Sequence, residues 1–255
     1  MATVIGGALL LAAGVAASAA ASFFLADKVV INTLVDGTPT SFDPRMIWGQ
    51  KGARPLFGVA WMTIYTSSAL CAVYLLFLGL FSEVENEETV FSGLVFVASA
   101  FLMTGAWTPV FQLGEPQFLW VFIVSTWILG MCAIFALVGV AMLDSFRRGA
   151  LFALLVGVPT GVFAGWLAVA TTISVLFTIS AYNNGLNENR TKEPGWAPAI
   201  VAAVMGILSV AFVNPALVLP AVAVVFFLKR NLVHTLALSI GAVFWLASCA
   251  IVLLN

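Results

Sequence analysis

The sequence predicts an all-α, polytopic membrane helix bundle, and three observations carry that prediction. Of 255 residues, 62% are hydrophobic and 8% are charged, a balance that leaves too little polar surface to face water. Mean hydropathy is +1.12. The apolar residues fall in runs of roughly 20, the length a helix needs to cross ~30 Å of hydrocarbon. The alternation of a membrane barrel is absent, and only helices satisfy their own backbone in lipid without closing a barrel. A net charge of −1 suggests no nucleic-acid partner.

Eight apolar segments follow in order: 3–25, 56–81, 90–108, 117–142, 150–181, 196–212, 215–228 and 232–254. The first contains "ASAAAS", which resembles a signal-peptide cleavage site, but no Lys or Arg precedes it, so it reads as a transmembrane helix. The second opens with "RPLFGVAWMTIY". In the third, "GAWTPVF" holds Pro109, which lacks the amide N–H that a helix needs and should stop it. The fourth carries Trp120 and Trp127, seven residues apart and therefore on one stripe. The fifth is long enough to tilt or run past the membrane. It carries Gly161 and Gly165, which allow close helix approach, and Thr171, Thr172 and Ser174, which bond to neighbouring backbone or donate to a ligand. The seventh is short and contains Pro215 and Pro220, so it reads as a strained span or a re-entrant piece.

The connections are informative too. Segment 26–55 is the longest, with Pro39, Pro44, Gly49, Gly52 and Trp48, and reads as a lid. The acidic loop "SEVENEET" (82–89) reads as a solvated cap, and Asp144 with Arg147 and Arg148 as a surface charge group. The cysteines Cys71, Cys132 and Cys249 lie inside apolar runs without paired spacing and read as small buried hydrophobes. We call the face of the N-terminus X and that of the first loop Y. With alternating crossings, Y collects Lys28, Arg45, Lys51, Arg54, Arg190, Lys192, Lys229 and Arg230, whereas X collects Arg147 and Arg148. That excess of positive charge makes Y cytoplasmic or its topological equivalent. If the seventh segment does not cross, Lys229 and Arg230 move to X.

An ordinary aromatic belt occupies both interfaces. Here Trp48, Trp61, Trp107, Trp120 and Trp196 fall near Y, and Trp127, Trp166 and Trp245 sit well inside their helices. A buried indole N–H needs an acceptor from a neighbouring helix or a ligand. Two readings stand side by side: helix packing with one-sided anchoring, or an aromatic pocket open toward Y. In the pocket reading Trp61, Tyr65, Trp107, Trp127 and Trp166 point into one cavity, with Trp48 near its mouth. Charged residues are nearly absent from helix interiors, unlike an ion or proton pathway. The one histidine, His234, builds no metal centre by itself and excludes a bis-histidine haem. Neither a catalytic nor a metal-ligating residue is assigned.

These motifs resemble the TspO/MBR family, the tryptophan-rich sensory or translocator proteins. Pro55, Phe57, Gly58, Trp61 and Tyr65 look like the start of its second helix. Trp107, Thr108, Pro109 and Phe111 look like the end of its third, and Trp166, Ala170 and Thr171 like its fifth. The likeness covers about residues 3 to 181. It departs at Pro159, which precedes Trp166 by seven residues rather than about four, and at Ser174, where an Asn is usual. It implies two units: a five-helix membrane unit over 1–181 and a C-terminal extension of about three helices over 182–255. By the same resemblance, an apolar planar ligand such as a tetrapyrrole would bind for sensing or transport, at Trp48, Phe57, Trp61, Tyr65, Trp107, Phe111, Trp127, Trp166 and Thr171. Porphyrin or haem would be ligand rather than required cofactor. The alternatives are a structural or assembly subunit of a membrane complex, and an enzyme acting on the bound tetrapyrrole. The partners so implied are the lipid bilayer, a hydrophobic small molecule, and a homodimer or membrane-complex partner.

The charge bias sets the topology to be tested. Single cysteines placed at positions 36 and 86 should be modified by an impermeant maleimide from opposite sides of the membrane; modification of both from one side would overturn the assignment.

Overall fold

A computed structural model describes residues 2–24, 53–112, 119–184, 197–227 and 232–254. Its described residues form an all-α bundle of eight main helices: α1 (Ala2–Phe24), α2 (Ala53–Phe81), α3 (Glu87–Gln112), α4 (Leu119–Leu143), α5 (Val158–Asn184), α6 (Ala197–Ala211), α7 (Leu219–Phe227) and α8 (Leu232–Leu254). Six stretches are long and apolar enough to span a membrane, which makes the chain a multi-pass integral membrane protein. The expected lid over 26–55 lies outside the described residues.

Glycines set which helices touch. A Cβ on Gly14 would meet the Ala98 carbonyl oxygen at 2.8 Å, and one on Gly139 the Gly93 carbonyl oxygen at 2.8 Å. Backbones therefore approach directly between α1 and α3, and between α3 and α4, where packing and dispersion replace the hydrophobic drive that lipid removes. The first five helices close into a ring in the spatial order α2, α1, α3, α4, α5, with α5 returning to α2. At face X, Arg148 donates from Nε to the Leu143 carbonyl (2.9 Å) and from Nη1 to the Glu85 carbonyl (2.7 Å). It thus caps the end of α4 and ties down the acidic loop. Arg147 pairs with Asp144 at 3.5 Å, both well exposed, as a surface charge group should be.

Two expectations need correction. Helix α3 continues through Pro109 to Gln112. In hydrocarbon, unwinding the turn would strand several backbone groups, whereas keeping it forfeits the single N–H that proline lacks. The sixth segment, expected as a crossing of its own, is described over Ala197–Ala211 and turns back into the seventh, described over Leu219–Phe227, which takes the re-entrant alternative of the two readings given for it.

These two helices form a hairpin. Gly206 packs on Phe244, Gly241 packs near Ala202, and Ser248 Oγ donates to the Ser209 carbonyl at 2.8 Å, so α6 and α8 run parallel. A 3-10 turn (Pro215–Val218) and α7 return between them. The end of α7 and the start of α8 thus share the end of the bundle where α6 begins; Arg190, Lys192, Lys229 and Arg230 lie outside the described residues. The hairpin tip sits against α5 and the turn before it. A Cβ on Gly161 would lie 2.6 Å from Asn214 Oδ1, and one on Gly165 would lie 2.3 Å from the Leu217 carbonyl oxygen. Asn214, 2% exposed, donates from Nδ2 to the Gly157 carbonyl (3.1 Å) and accepts from the Ala216 amide (3.0 Å). Gly157 closes a π-helical turn (Ala153–Gly157), in which the Val158 N–H bonds to the Ala153 carbonyl. Counting from Ala150, the tip lies about 10 Å inside the bundle from face X. Non-helical backbone at such depth is tolerated where protein buries it, and here it is buried throughout Asn214–Val218.

The close approach at Gly165 makes a clear prediction. Gly165→Ala should loosen the hairpin and lower the unfolding temperature in detergent. Gly58→Ala, whose Cβ meets nothing within 4 Å, should be neutral or slightly stabilising because alanine is the better helix former. Equal unfolding temperatures for the two variants would refute this account of the docking.

Candidate ligand site in the helix bundle

The aromatic residues of α2, α3 and α5 meet inside the five-helix ring. Trp61 and Tyr65, one turn apart on α2 and therefore on one face, stack with centroids 5.5 Å apart. Trp166 of α5 meets Trp61 edge-on at 6.3 Å and is 3% exposed. Tyr65 continues to Phe101 of α3 at 6.4 Å. Phe101 in turn lies flat on Phe163 of α5, at 3.7 Å and an interplanar angle of 3°. Stacked and edge-on rings each add to the area they bury. The five side chains fill the space between the three helices with one another.

A hydroxyl cluster borders this group. The Tyr65 hydroxyl lies 2.7 Å from Ser22 Oγ and 3.2 Å from Ser18 Oγ, both on α1. These are the serines of "ASAAAS". On the inner face of α2, Ser68 is 2% exposed and its Oγ has no hydrogen-bond partner among the described residues. A second polar seam joins α4 and α5, where Thr126 Oγ1 lies 2.7 Å from Ser174 Oγ and 3.1 Å from Thr178 Oγ1. Such interhelical hydroxyl pairs act as glue in lipid.

The residues expected at the site divide accordingly. Trp61, Tyr65 and Trp166 come together. Trp107 is half-buried against the same core, toward the Y end of α3. Trp127 is a correction: it stands 71% exposed on the outer face of α4, beside Trp120 at 62%. Seven-residue spacing put both on one stripe, and that stripe faces lipid because α4 turns its small residues, Gly139 among them, toward α3. Thr171 bonds its own helix at Leu167 (2.7 Å), and its methyl faces Gly130 of α4 rather than the aromatic group. Phe57 and Phe111 lie on α2 and α3, but their side chains are outside the described set, as is all of Trp48.

Sequence reasoning missed Phe101, Phe163, Ser18, Ser22 and Ser68. Phe163 and Trp166 are three apart on one helix, as are Tyr65 and Ser68, and that spacing was the available signal. Phe101 carried none, because a phenylalanine in an apolar run looks alike whether it faces lipid or core.

The bundle defines the class: a multi-pass integral membrane protein whose described core packs aromatic rings beside serine and threonine hydroxyls. No family model, curated protein or solved structure matches the chain.

Burial separates the aromatic residues by their cost. Phe163→Ala should destabilise the bundle by about 3–5 kcal/mol through lost contacts and a residual cavity, whereas Trp127→Phe should stay within about 0.5 kcal/mol of wild type. Denaturation of the two purified variants in one detergent checks the ordering.

Proposed function

We propose that this chain is a membrane ligand-binding protein of TspO type, which holds an apolar planar ligand such as a tetrapyrrole for sensing or transport. The observation that supports this reading best is the aromatic group Trp61, Tyr65, Phe101, Phe163 and Trp166, contributed by three different helices. Flat ligands stack on indole and phenyl faces, and a few hydroxyls fix their orientation. In this reading Trp61 and Trp166 part to admit the ligand, Tyr65 and Ser68 supply the hydrogen-bonding groups, and porphyrin or haem is the ligand tested first.

One observation favours a second reading, a structural or assembly subunit without ligand chemistry. The inner rings are already packed on one another, and Phe101 on Phe163 at 3.7 Å leaves no room between them. Under that reading the outward Trp120 and Trp127 serve lipid or a neighbouring subunit.

Visible-absorbance titration with protoporphyrin or haem separates the two. A saturable band shift supports the binder; its absence supports the packing subunit, and light-dependent loss of the porphyrin band would point to an enzyme. Trp61→Phe and Trp166→Phe should each weaken binding by about 1 kcal/mol, the worth of one stacking contact, while Trp127→Phe leaves it unchanged. Affinity unaltered in both inner variants would remove the aromatic group from the site.

A further inference from the structure

From Ala150 to Asn184 the chain is helical without a break, yet its bonding changes within one stretch. The π turn Ala153–Gly157 runs directly into Val158 and Pro159. Proline donates no N–H, and its ring crowds the carbonyl four residues back, here that of Leu155. A π turn beside a proline is where a helix bends. Side chains act as donors there. Thr160 Oγ1 donates to the Val156 carbonyl at 2.7 Å and lies 3.4 Å from the Gly157 carbonyl. Asn214 Nδ2 donates to the same Gly157 carbonyl from the hairpin tip.

Beyond this bend, α5 is gripped on two faces. Phe163 and Trp166 press inward onto Phe101 and Trp61. Gly161 and Gly165 face away from the ring and receive Asn214 and the Leu217 carbonyl. The tip thus stands behind α5 and holds its rings against α2 and α3. An interior so filled admits nothing while α5 stays in place. The contact of Phe163 with Phe101 is carbon on carbon, so it parts without stranding a polar group. The tip itself is poised, because Val213 sits at φ 48°, a costly conformation for a β-branched residue. A second donor for the Gly157 carbonyl is close by. Ser145, 4% exposed, has no hydrogen-bond partner at Oγ among the described residues, and a Cβ on Gly157 would lie 2.9 Å from the Ser145 Cβ.

We propose that the hairpin tip is a latch on α5: withdrawal of Asn214 from the Gly157 carbonyl lets α5 pivot at Gly157–Pro159, which carries Phe163 off Phe101 and opens the aromatic interior toward face Y. The freed carbonyl passes to the hydroxyl of Thr160 or Ser145, each of which can donate. The latch rests on the ligand-site reading only for its purpose; the motion itself needs no ligand.

The test measures distances by double electron–electron resonance on the full chain in phosphatidylcholine nanodiscs, without ligand. Nitroxides are attached at Met62→Cys on α2 and Ile179→Cys on α5, both exposed, with Cys71, Cys132 and Cys249 changed to alanine. Leu10→Cys on α1 and Leu102→Cys on α3, also exposed, form a reference pair away from the pivot. The α2–α5 pair should show a short main distance and a longer minor one. Asn214→Ala should raise the ratio of long to short about fivefold, the worth of one hydrogen bond, and leave the reference pair unchanged. Adding Pro159→Ala, which restores the missing N–H, should reverse that rise. Distances unmoved by Asn214→Ala, a change shared by the reference pair, or a rise that survives Pro159→Ala would each overturn the latch. If Asn214→Ala does not fold, Gly161→Ala decides with the same expected rise, because its Cβ would lie 2.6 Å from Asn214 Oδ1. Porphyrin titration of the unlabelled chain is scored separately. A band shift with unmoved distances overturns the latch alone, and moved distances without a band shift overturn the ligand reading alone.

Discussion

In hydrocarbon, a backbone amide or carbonyl without a partner costs several kcal/mol, and the rest of this structure follows from that constraint. It makes every described crossing a helix. It carries α3 through Pro109, where loss of one amide is cheaper than loss of a turn. It also explains why the departures from regular helix that lie inside the bundle, away from the surface turns at Asn86 and Asp144, cluster in one place. The π turn Ala153–Gly157, the 3-10 turn Pro215–Val218 and the left-handed Val213 (φ 48°) lie against one another inside the protein. Asn214 completes that cluster by bonding both the Gly157 carbonyl and the Ala216 amide. A β-branched residue at positive φ is strained, and here Val213 is itself buried, with its N–H bonded to the Val210 carbonyl (3.2 Å) and the next N–H, of Asn214, to the Ser209 carbonyl (2.9 Å).

The architecture was legible in the sequence because it is a matter of length and hydropathy. The apolar runs 56–81 and 232–254 became α2 and α8 almost residue for residue. Depth was less legible. Helix α6 falls almost residue for residue on segment 196–212, but composition does not encode that the chain turns back after it, where the long-range pairing of Asn214 with Gly157 holds the turn. The orientation of side chains around a membrane helix was the least legible. In water, periodicity separates core from surface, but a helix apolar on all sides gives no such contrast. Spacing therefore joined Trp61 to Tyr65 correctly and misplaced Trp127.

Small residues resolve the ambiguity that periodicity leaves. Glycines at 14, 93, 139 and 165 mark the faces where backbones touch, Gly161 makes room for the Asn214 side chain, and the aromatic residues inside the ring fill the width that those close contacts leave elsewhere. Helix α5 shows both on one element: Gly161 and Gly165 receive the hairpin, while Phe163 and Trp166 meet α3 and α2. The aromatic centre and the C-terminal helices are thus mounted on opposite faces of the same rod.

That mounting has a consequence for biosynthesis. Helices α6 and α7 are described as short helices, and their junction carries a buried polar side chain, Asn214, whose amide donates to the Gly157 carbonyl of the π turn before α5. As the chain leaves the insertion machinery, the hairpin has no favourable resting place until the preceding helices have assembled. The order of synthesis, N-terminal bundle first, is therefore also the order in which the molecule can be built without stranding an amide in lipid.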